Sequence, residues 1–270
     1  SYSKDLFQVI IIDDYSEDET WNKLTQFNPR GLNTLFTRLS DHTNEGEIIQ
    51  SHKKKAIETG IKLAKGTLIV TTDADCLFPV DWLITIARFY EKNNATFIAA
   101  PVRITATSSL LSVFQTLDFL TLQGITGASV FKRIHSMCNG ANLAYEKAAF
   151  MEVGGFKGID DIPSGDDMLL MHKIYRKYPE NVFYLKSSAA IVSTAAMSSW
   201  KQFFHQRIRW ASKSGSYDDK RIVGVLLLVY VLNFCFLILG IAAFFSPTWL
   251  FFFILLLVAK VLIEFPFVHT

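Results

Sequence analysis

From Ile222 to the end of the chain almost every residue is apolar, whereas the residues before it have the mixture of an ordinary water-soluble α/β protein. Ile222 to Phe245 has Asn233 as its one strongly polar interior side chain. At ~1.5 Å per helical residue this run exceeds the ~30 Å of a bilayer's hydrocarbon core. Ser246-Pro247-Thr248 makes a short turn, and Trp249 to Val268 forms a second span. Lys260 and Glu264 lie one helical turn apart inside it, placed to pair with each other or to face protein and water rather than lipid. Lys213, Lys220 and Arg221 precede the first span and the turn between the spans is uncharged. The positive-inside rule then puts the preceding domain in the cytoplasm, at an inner or plasma membrane. Two helices buried in a soluble core are the alternative, and the combined length and flanking charge argue against it. The expected organisation is a soluble domain over 1–198, an interfacial amphipathic segment over 199–221, and two transmembrane helices within 222–270, at about 222–245 and 249–268.

The soluble part alternates short apolar strands with amphipathic helices. Phe7 to Ile12 is a continuous β-branched run of the kind buried on both faces of a parallel sheet. Ser16 and Glu19 have capping-box spacing ahead of a helix carrying Trp21, Leu24 and Phe27. Strands are expected at Leu35–Leu39, Leu68–Thr72 and Phe97–Val102, and helices at Ser51–Ala64, Asp81–Asn93, Ser109–Phe131, Asp166–Tyr178 and Trp200–Ser212. Asn139 to Asn142 reads as a turn leading into a helix with Ala148 and Phe150. This order implies an α/β domain, a Rossmann-like, mostly parallel sheet with helices on both faces. The formal net charge of +2 points to no nucleic-acid partner. Cys76, Cys138 and Cys235 are scattered without metal-ligand spacing, as in a reducing compartment.

Four polar clusters stand where such a sheet gathers a ligand, beyond the carboxyl ends of its strands. Asp13-Asp14 end the first strand, and Asp73-Ala74-Asp75 end a later one. Asp166-Asp167 open a helix, and Gln206-Arg207-Ile208-Arg209-Trp210 lie just before the apolar tail. Each has an ordinary structural use alone, as a turn, a helix cap, or an anchor in lipid headgroups. Two acids spaced i, i+2 also suit a hard divalent ion such as Mg²⁺ or Mn²⁺ that shares phosphate ligands.

Together the clusters resemble the family 2 glycosyltransferases, in particular their membrane-bound, polysaccharide-synthase-like branch. The matching stretches are Ile10–Ser16, Asp73-Ala74-Asp75, Gly140-Ala141-Asn142, Gly154-Gly155-Phe156, Gly165–Leu170 and Gln206-x-x-Arg209-Trp210. The resemblance implies a GT-A fold and inverting transfer from a nucleotide-sugar, here a UDP-sugar, with Mg²⁺ or Mn²⁺. It implies that Asp14 contacts the nucleotide base with Asp13 beside it, and that Lys53 lies near the nucleotide. Asp73 and Asp75 bind the metal and donor, and Asp167 is the catalytic base. Gln206 and Arg209 hold the diphosphate, while Trp210, Asn142 and Asp166 face the acceptor, a growing glycan or a lipid-linked sugar. Two positions depart from the pattern: Asp166 replaces the usual Glu, and His52 stands where glycine is common. The family's first strand is expected ahead of Phe7, so the chain is expected to be an internal fragment of a longer enzyme. Single transfer to a membrane lipid, as in ceramide-glucosyltransferase-like enzymes, is the nearest alternative. A non-catalytic membrane subunit and a sugar-nucleotide pyrophosphorylase are the others; export or polymerisation partners are unassigned.

Overall fold

The computed structural model describes residues 2–44, 46–133, 137–160, 162, 164–211 and 220–269. The first unit pairs β1 (Val9–Asp13) in parallel with β2 (Thr34–Arg38), Ile11 opposite Phe36, across α1 (Thr20–Gln26). The expected Ser16–Glu19 capping box does not form. Glu19 itself takes the cap position, and Asp18 Oδ1 accepts the Thr20 N–H at 2.9 Å, a nearer and charged acceptor. α2 (His52–Leu63) covers β1, and Gly60 permits the approach: a Cβ there would sit 3.2 Å from Ile12 Cδ1.

The central sheet has the order β3-β6-β4-β7 and is built from Leu68–Thr71, Leu143–Glu146, Phe97–Ala99 and Val182–Tyr184. β4 and β7 are parallel, but β6 runs antiparallel to both of its neighbours, so this sheet is mixed where a mostly parallel one was expected. β6 occupies four residues where the Asn139–Asn142 turn was expected to lead into a helix; the helix, α5 (Lys147–Glu152), starts directly after it. The strand expected over Phe97–Val102 is divided at Ala100-Pro101. Its continuation β5 (Val102–Thr105) pairs in parallel with β8 (Val192–Ala195) in a separate ladder.

Apolar layers pack on both faces of the central sheet. On one side α3 (Trp82–Asn93) contributes Trp82 and Ile86 to a cluster with Ile98, Ala144 and Val192. On the other, α6 (Met168–Lys177) contributes Leu170, Met171 and Ile174 to a cluster with Phe97, Tyr145 and Phe156. The 22-residue α4 (Leu110–Phe131) begins at Ser109, whose hydroxyl accepts the Ser112 N–H at 3.1 Å. α7 (Trp200–Ala211) lies against it.

The tail forms two helices, α8 (Lys220–Ala242) and α9 (Pro247–His269), which pack together, with α9 also touching α4. Among the described residues Pro247–Phe265 is long and apolar enough to cross a membrane, and Leu227–Ala242 is a shorter apolar stretch. Lys260 and Glu264 pair within α9.

Candidate active site

The antiparallel pairing of β3 with β6 gathers the site. Thr71, the last residue of β3, sits opposite Leu143, the first of β6, so the Asp73–Asp75 turn and the Asn139–Asn142 turn emerge at one end of the sheet. The first turn is closed by the Cys76 N–H on the Asp73 carbonyl at 3.2 Å. Its exit is held by reciprocal 2.8 Å bonds between the backbones of Leu77 and Ser193. Asp75 is exposed, and its carboxylate accepts from neutral groups, Thr194 Oγ1 at 3.3 Å and the Cys76 thiol at 3.5 Å. Burial, with Asp75 alongside, pushes the Cys76 thiol up to about 11, so it stays protonated and serves as packing.

Lys53, in the first turn of α2, joins this turn to the acids that precede α6. Its ammonium lies 2.8 Å from Asp73 Oδ1 and 3.4 Å from Asp166 Oδ2. Burial pushes the lysine down, but Asp166, Asp73 and Asp167 outweigh it, and its pKa stands above the ordinary value. The side chain is nearly half exposed, so the Lys53–Asp73 pair contributes little to stability. Asp167 Oδ1 caps α6 by accepting the Met168 N–H at 2.7 Å, while Oδ2 accepts the Gly140 N–H at 3.1 Å. Gly140 is closely approached: a Cβ there would stand 3.1 Å from Asp166 Oδ2 and 3.3 Å from Lys53 Nζ, so those side chains would have to give way. Asp73, Lys53, Gly140, Asp166 and Asp167, spread over nearly half the sequence, therefore meet in one place.

At the end of β1, Asp13 is buried and its Oδ1 has no hydrogen-bond partner, a costly state that a ligand's N–H would relieve. Asp14 is exposed and bonded to His52 Nδ1 at 2.9 Å, and the His52 ring meets Tyr15 edge-on. Tyr15 holds a positive φ of 56°, which turns the chain sharply after the two acids.

The acceptor role expected for Asn142 is corrected by its surroundings. It is fully buried; Oδ1 accepts the Trp82 indole N–H at 3.0 Å, and Nδ2 donates to the Pro101 and Ala190 carbonyls at 2.7 and 2.8 Å. That uses both amide hydrogens and the oxygen on protein, tying β6 to α3 and to the start of β5. Asn142→Ala is expected to lower stability by about 3 kcal/mol, because the buried Trp82 and Ala190 and the half-buried Pro101 lose their bonds. Thermal melts will shift strongly, while the KM for donor and acceptor in the surviving folded protein stays near wild type.

α7 is seated on α4 through several side chains. Phe203 is buried beside Phe114, Arg207 pairs with Asp118, and Trp210 packs on Phe119 at 6.2 Å between ring centres. The Arg207 guanidinium lies 4.6 Å from the centre of the Trp210 ring and so covers one indole face. Burial lowers the Arg207 pKa from its usual value, with Asp118 opposing the shift. Gln206 is half-buried and Arg209 exposed on the same helix. Arg207 stands at an unassigned position of the motif, so its pairing with Asp118 is not legible in the sequence.

Lys54 is a second residue that the motifs do not single out. It is 2 % exposed, and its ammonium donates to the carbonyls of Ile159, Ile162 (2.6 Å) and Ser164 (3.1 Å), in the loop that leads to Asp166. The signal was its spacing: Lys54, Ile57 and Ile61 fall on one face of α2, so one lysine of the triplet had to point inward. Lys54→Met is expected to unpair these carbonyls at about 1–3 kcal/mol each, in the part that relaxation leaves buried. A lower melting temperature should accompany a larger loss in kcat than in donor affinity. A cavity of about 310 Å³ opens beside Lys54, Glu58 and Phe156, and its lining includes none of Asp73, Asp75, Asp166 or Asp167.

Residues 1–154, more than half of the chain, match the family model described as Glycosyl transferase family 2. The chain belongs to glycosyl transferase family 2. A Bacillus subtilis (strain 168) protein named Probable glycosyltransferase YdaM is 25% identical over 214 residues, which cover 78% of this chain and 48% of the relative. The chain thus spans about half the length of the curated relative it matches. Among solved structures, S. aureus TarS 1-349 is similar with a TM-score of 0.50 and 18% identity, covering 72% of this chain and 52% of that one. This likeness supports a GT-A-like α/β fold for the family 2 chain, with the mixed central sheet described above.

The donor set at the end of β3 fits a hard divalent cation. Asp73 and Asp75 offer carboxylate oxygens, and among the described residues no Lys, Arg or His pairs with Asp75. The described residues contain no group of three His, Cys, Asp or Glu that would form an all-protein cage. Mg²⁺ and Mn²⁺ suit such a site, since they are held by one or two carboxylates and complete their shell with water and substrate phosphates.

Proposed function

We propose that this chain carries the catalytic domain of an inverting, metal-dependent glycosyltransferase acting at a membrane surface. Its donor is a nucleotide-sugar, a UDP-sugar, and its acceptor is a growing polysaccharide or a lipid-linked glycan. One observation carries this reading: Asp73, Asp166 and Asp167 converge with Lys53 at the Gly140 turn. Carboxylates for a metal, a base and a mobile cation are what transfer from a sugar diphosphate requires.

Asp73 and Asp75 would hold the divalent ion, which supplies neutralisation of the departing diphosphate. Lys53, already charged and loosely paired, moves from Asp73 onto donor phosphate oxygens. Asp13 accepts an N–H of the nucleotide base on its unsatisfied oxygen, with Asp14 and His52 at the rim. Asp167 takes the proton of the acceptor hydroxyl as that oxygen bonds to the anomeric carbon. The bond from that carbon to the diphosphate breaks, and its electron pair leaves with the diphosphate. Two backbone N–H groups fix the Asp167 carboxylate, so it meets the acceptor already oriented. Arg209 and Gln206 complete the diphosphate site when α7 approaches the donor, and Trp210 receives an acceptor sugar.

The apolar α8–α9 hairpin anchors the domain at the inner or plasma membrane with the active site on the cytoplasmic side. The test is incorporation of label from a panel of nucleotide-sugars by the full-length protein in native membranes. A UDP-sugar should label a ladder of oligomers; one new lipid product would instead identify single transfer to a membrane lipid. No incorporation from any nucleotide-sugar would remove the reading.

A further inference from the structure

The cavity of about 310 Å³ along α2 is lined by groups that the reaction proposed above does not use. Successive helical residues point about 100° apart, so Lys53 and Lys54 serve different sides of α2. Ser51 lines the cavity and is 7% exposed. Its Oγ has no hydrogen-bond partner, although a serine at this cap position ordinarily accepts an N–H of the first turn. A buried hydroxyl without a partner carries a desolvation cost that a bound polar group would relieve. The charges around it are nearly balanced. Lys55 pairs with Glu47, and Lys54 is committed to the carbonyls of Ile159, Ile162 and Ser164. Glu58 and Asp160 each accept one backbone N–H, from Phe156 at 3.3 Å and from Gly158 at 3.0 Å, and keep room for further donors. Lys173, on α6, interacts electrostatically with both.

This lining selects the chemistry of an occupant. An anion would meet three carboxylates, Glu47, Glu58 and Asp160, and a cation would meet Lys54 and Lys55. The groups with capacity left are carboxylate oxygens and one hydroxyl, so they match a neutral ligand rich in O–H donors. Ile48 and Ile49 add an apolar side suited to the C–H face of a sugar ring. The volume is at the small end of ligand pockets, ~300–1,000 Å³, and suits one sugar unit better than a nucleotide. We propose that this cavity is a second saccharide site, which holds one neutral sugar unit of the glycan between α2 and the segment from Phe156 to Asp160. The glycan as its source rests on the acceptor proposed above. Occupancy has a consequence for the reaction. Gly158 and Gly165, at φ of 83° and 81°, bracket the three carbonyls that Lys54 holds, and Gly165 directly precedes Asp166. A sugar bonded to both Glu58 and Asp160 ties this stretch to α2 and steadies the acids that open α6.

The test is saturation-transfer NMR on the full-length protein in a detergent without a sugar headgroup. Free glucose, N-acetylglucosamine, inorganic phosphate and spermidine are separate probes. Transfer to a sugar that persists under saturating UDP, with transfer to UDP itself showing the donor site filled, supports the proposal. The signal should weaken in Ser51→Ala and in Asp160→Asn. Each substitution removes one hydrogen bond to the sugar, so Kd should rise about three- to tenfold. Ser51→Ala deletes a hydroxyl with no protein partner, so the melting temperature should not fall. Asp160→Asn keeps an oxygen for the Gly158 N–H. Slower hydrogen exchange in the Phe156–Asp160 peptide when the sugar is present supports the tie to α2, and unchanged exchange overturns it. Displacement of the sugar by UDP would put it in the donor site and overturn the proposal. Transfer to phosphate or spermidine but to no sugar, transfer unchanged in both variants, or no transfer at all would overturn it too. The UDP arm uses the unsubstituted chain, so it decides even if a variant fails to fold. Binding is read without turnover, so a failed incorporation test would remove the glycosyltransferase reading and leave this result standing.

Discussion

Replacing Asp167 by Asn is expected to lower kcat by about 10²–10⁴-fold, the range a positioned general base contributes, with donor KM little changed. Asparagine is as good a helix cap as aspartate, so the bond from the Met168 N–H to the side chain can persist. One of the two backbone donors now held by the carboxylate, Met168 N–H or Gly140 N–H, then faces an amide NH₂ instead of an oxygen. That lost bond costs about 1 kcal/mol, enough to move a melting curve slightly and too little to unfold the domain. Steady-state kinetics beside a thermal melt separate the two effects. Asp166→Asn is the companion variant. Asp166 pairs with Lys53, so its loss should appear mainly in donor KM. If Asp166→Asn removed turnover and Asp167→Asn left it intact, the base would be Asp166.

Chelation of divalent ions should take turnover to background, and Mg²⁺ or Mn²⁺ should restore it. Charge stabilisation of about 4 kcal/mol at the leaving diphosphate corresponds to about a thousandfold in rate. Asp75→Asn should behave as a partial chelation, recovering activity as metal concentration is raised. Its carboxylate accepts only from a hydroxyl and a thiol, so the substitution should leave the melting temperature nearly unchanged. A rate indifferent to chelator would remove the metal from the mechanism and return Asp73-Ala74-Asp75 to the role of a turn.

The helices were legible because their periodicity is local. α2, α3, α4, α6, α7 and the two tail helices all fall within a few residues of the spans expected from spacing. The acids that end β1 and β3 were legible for the same reason, since a strand and the residue that stops it are neighbours. β6 was not, because Leu143-Ala144-Tyr145-Glu146 is short, abuts α5 without a breaker, and becomes a strand only through pairing with β3 and β4. Its antiparallel direction brings Gly140 to the acids, so the convergence of the site was hidden along with it. Asn142 looked like a turn residue with a free amide; its three partners lie 41 to 60 positions away, beyond any local pattern. For α4 the helical span was visible, but spacing specifies an element and not which of its sides meets the domain. Leu110, Phe114, Leu117 and Leu120 point outward, and the buried glutamines show which side belongs to the domain.

The stereochemistry of the product tests the account most directly. A single carboxylate base, Asp167, with the diphosphate leaving from the opposite face of the sugar requires inversion at the anomeric carbon. NMR of the first product formed from an α-linked UDP-sugar by the full-length protein in membranes, with Mg²⁺ or Mn²⁺ present, should show a β-linked sugar. An α-linked product would contradict the roles assigned to Asp167 and the acids around Lys53.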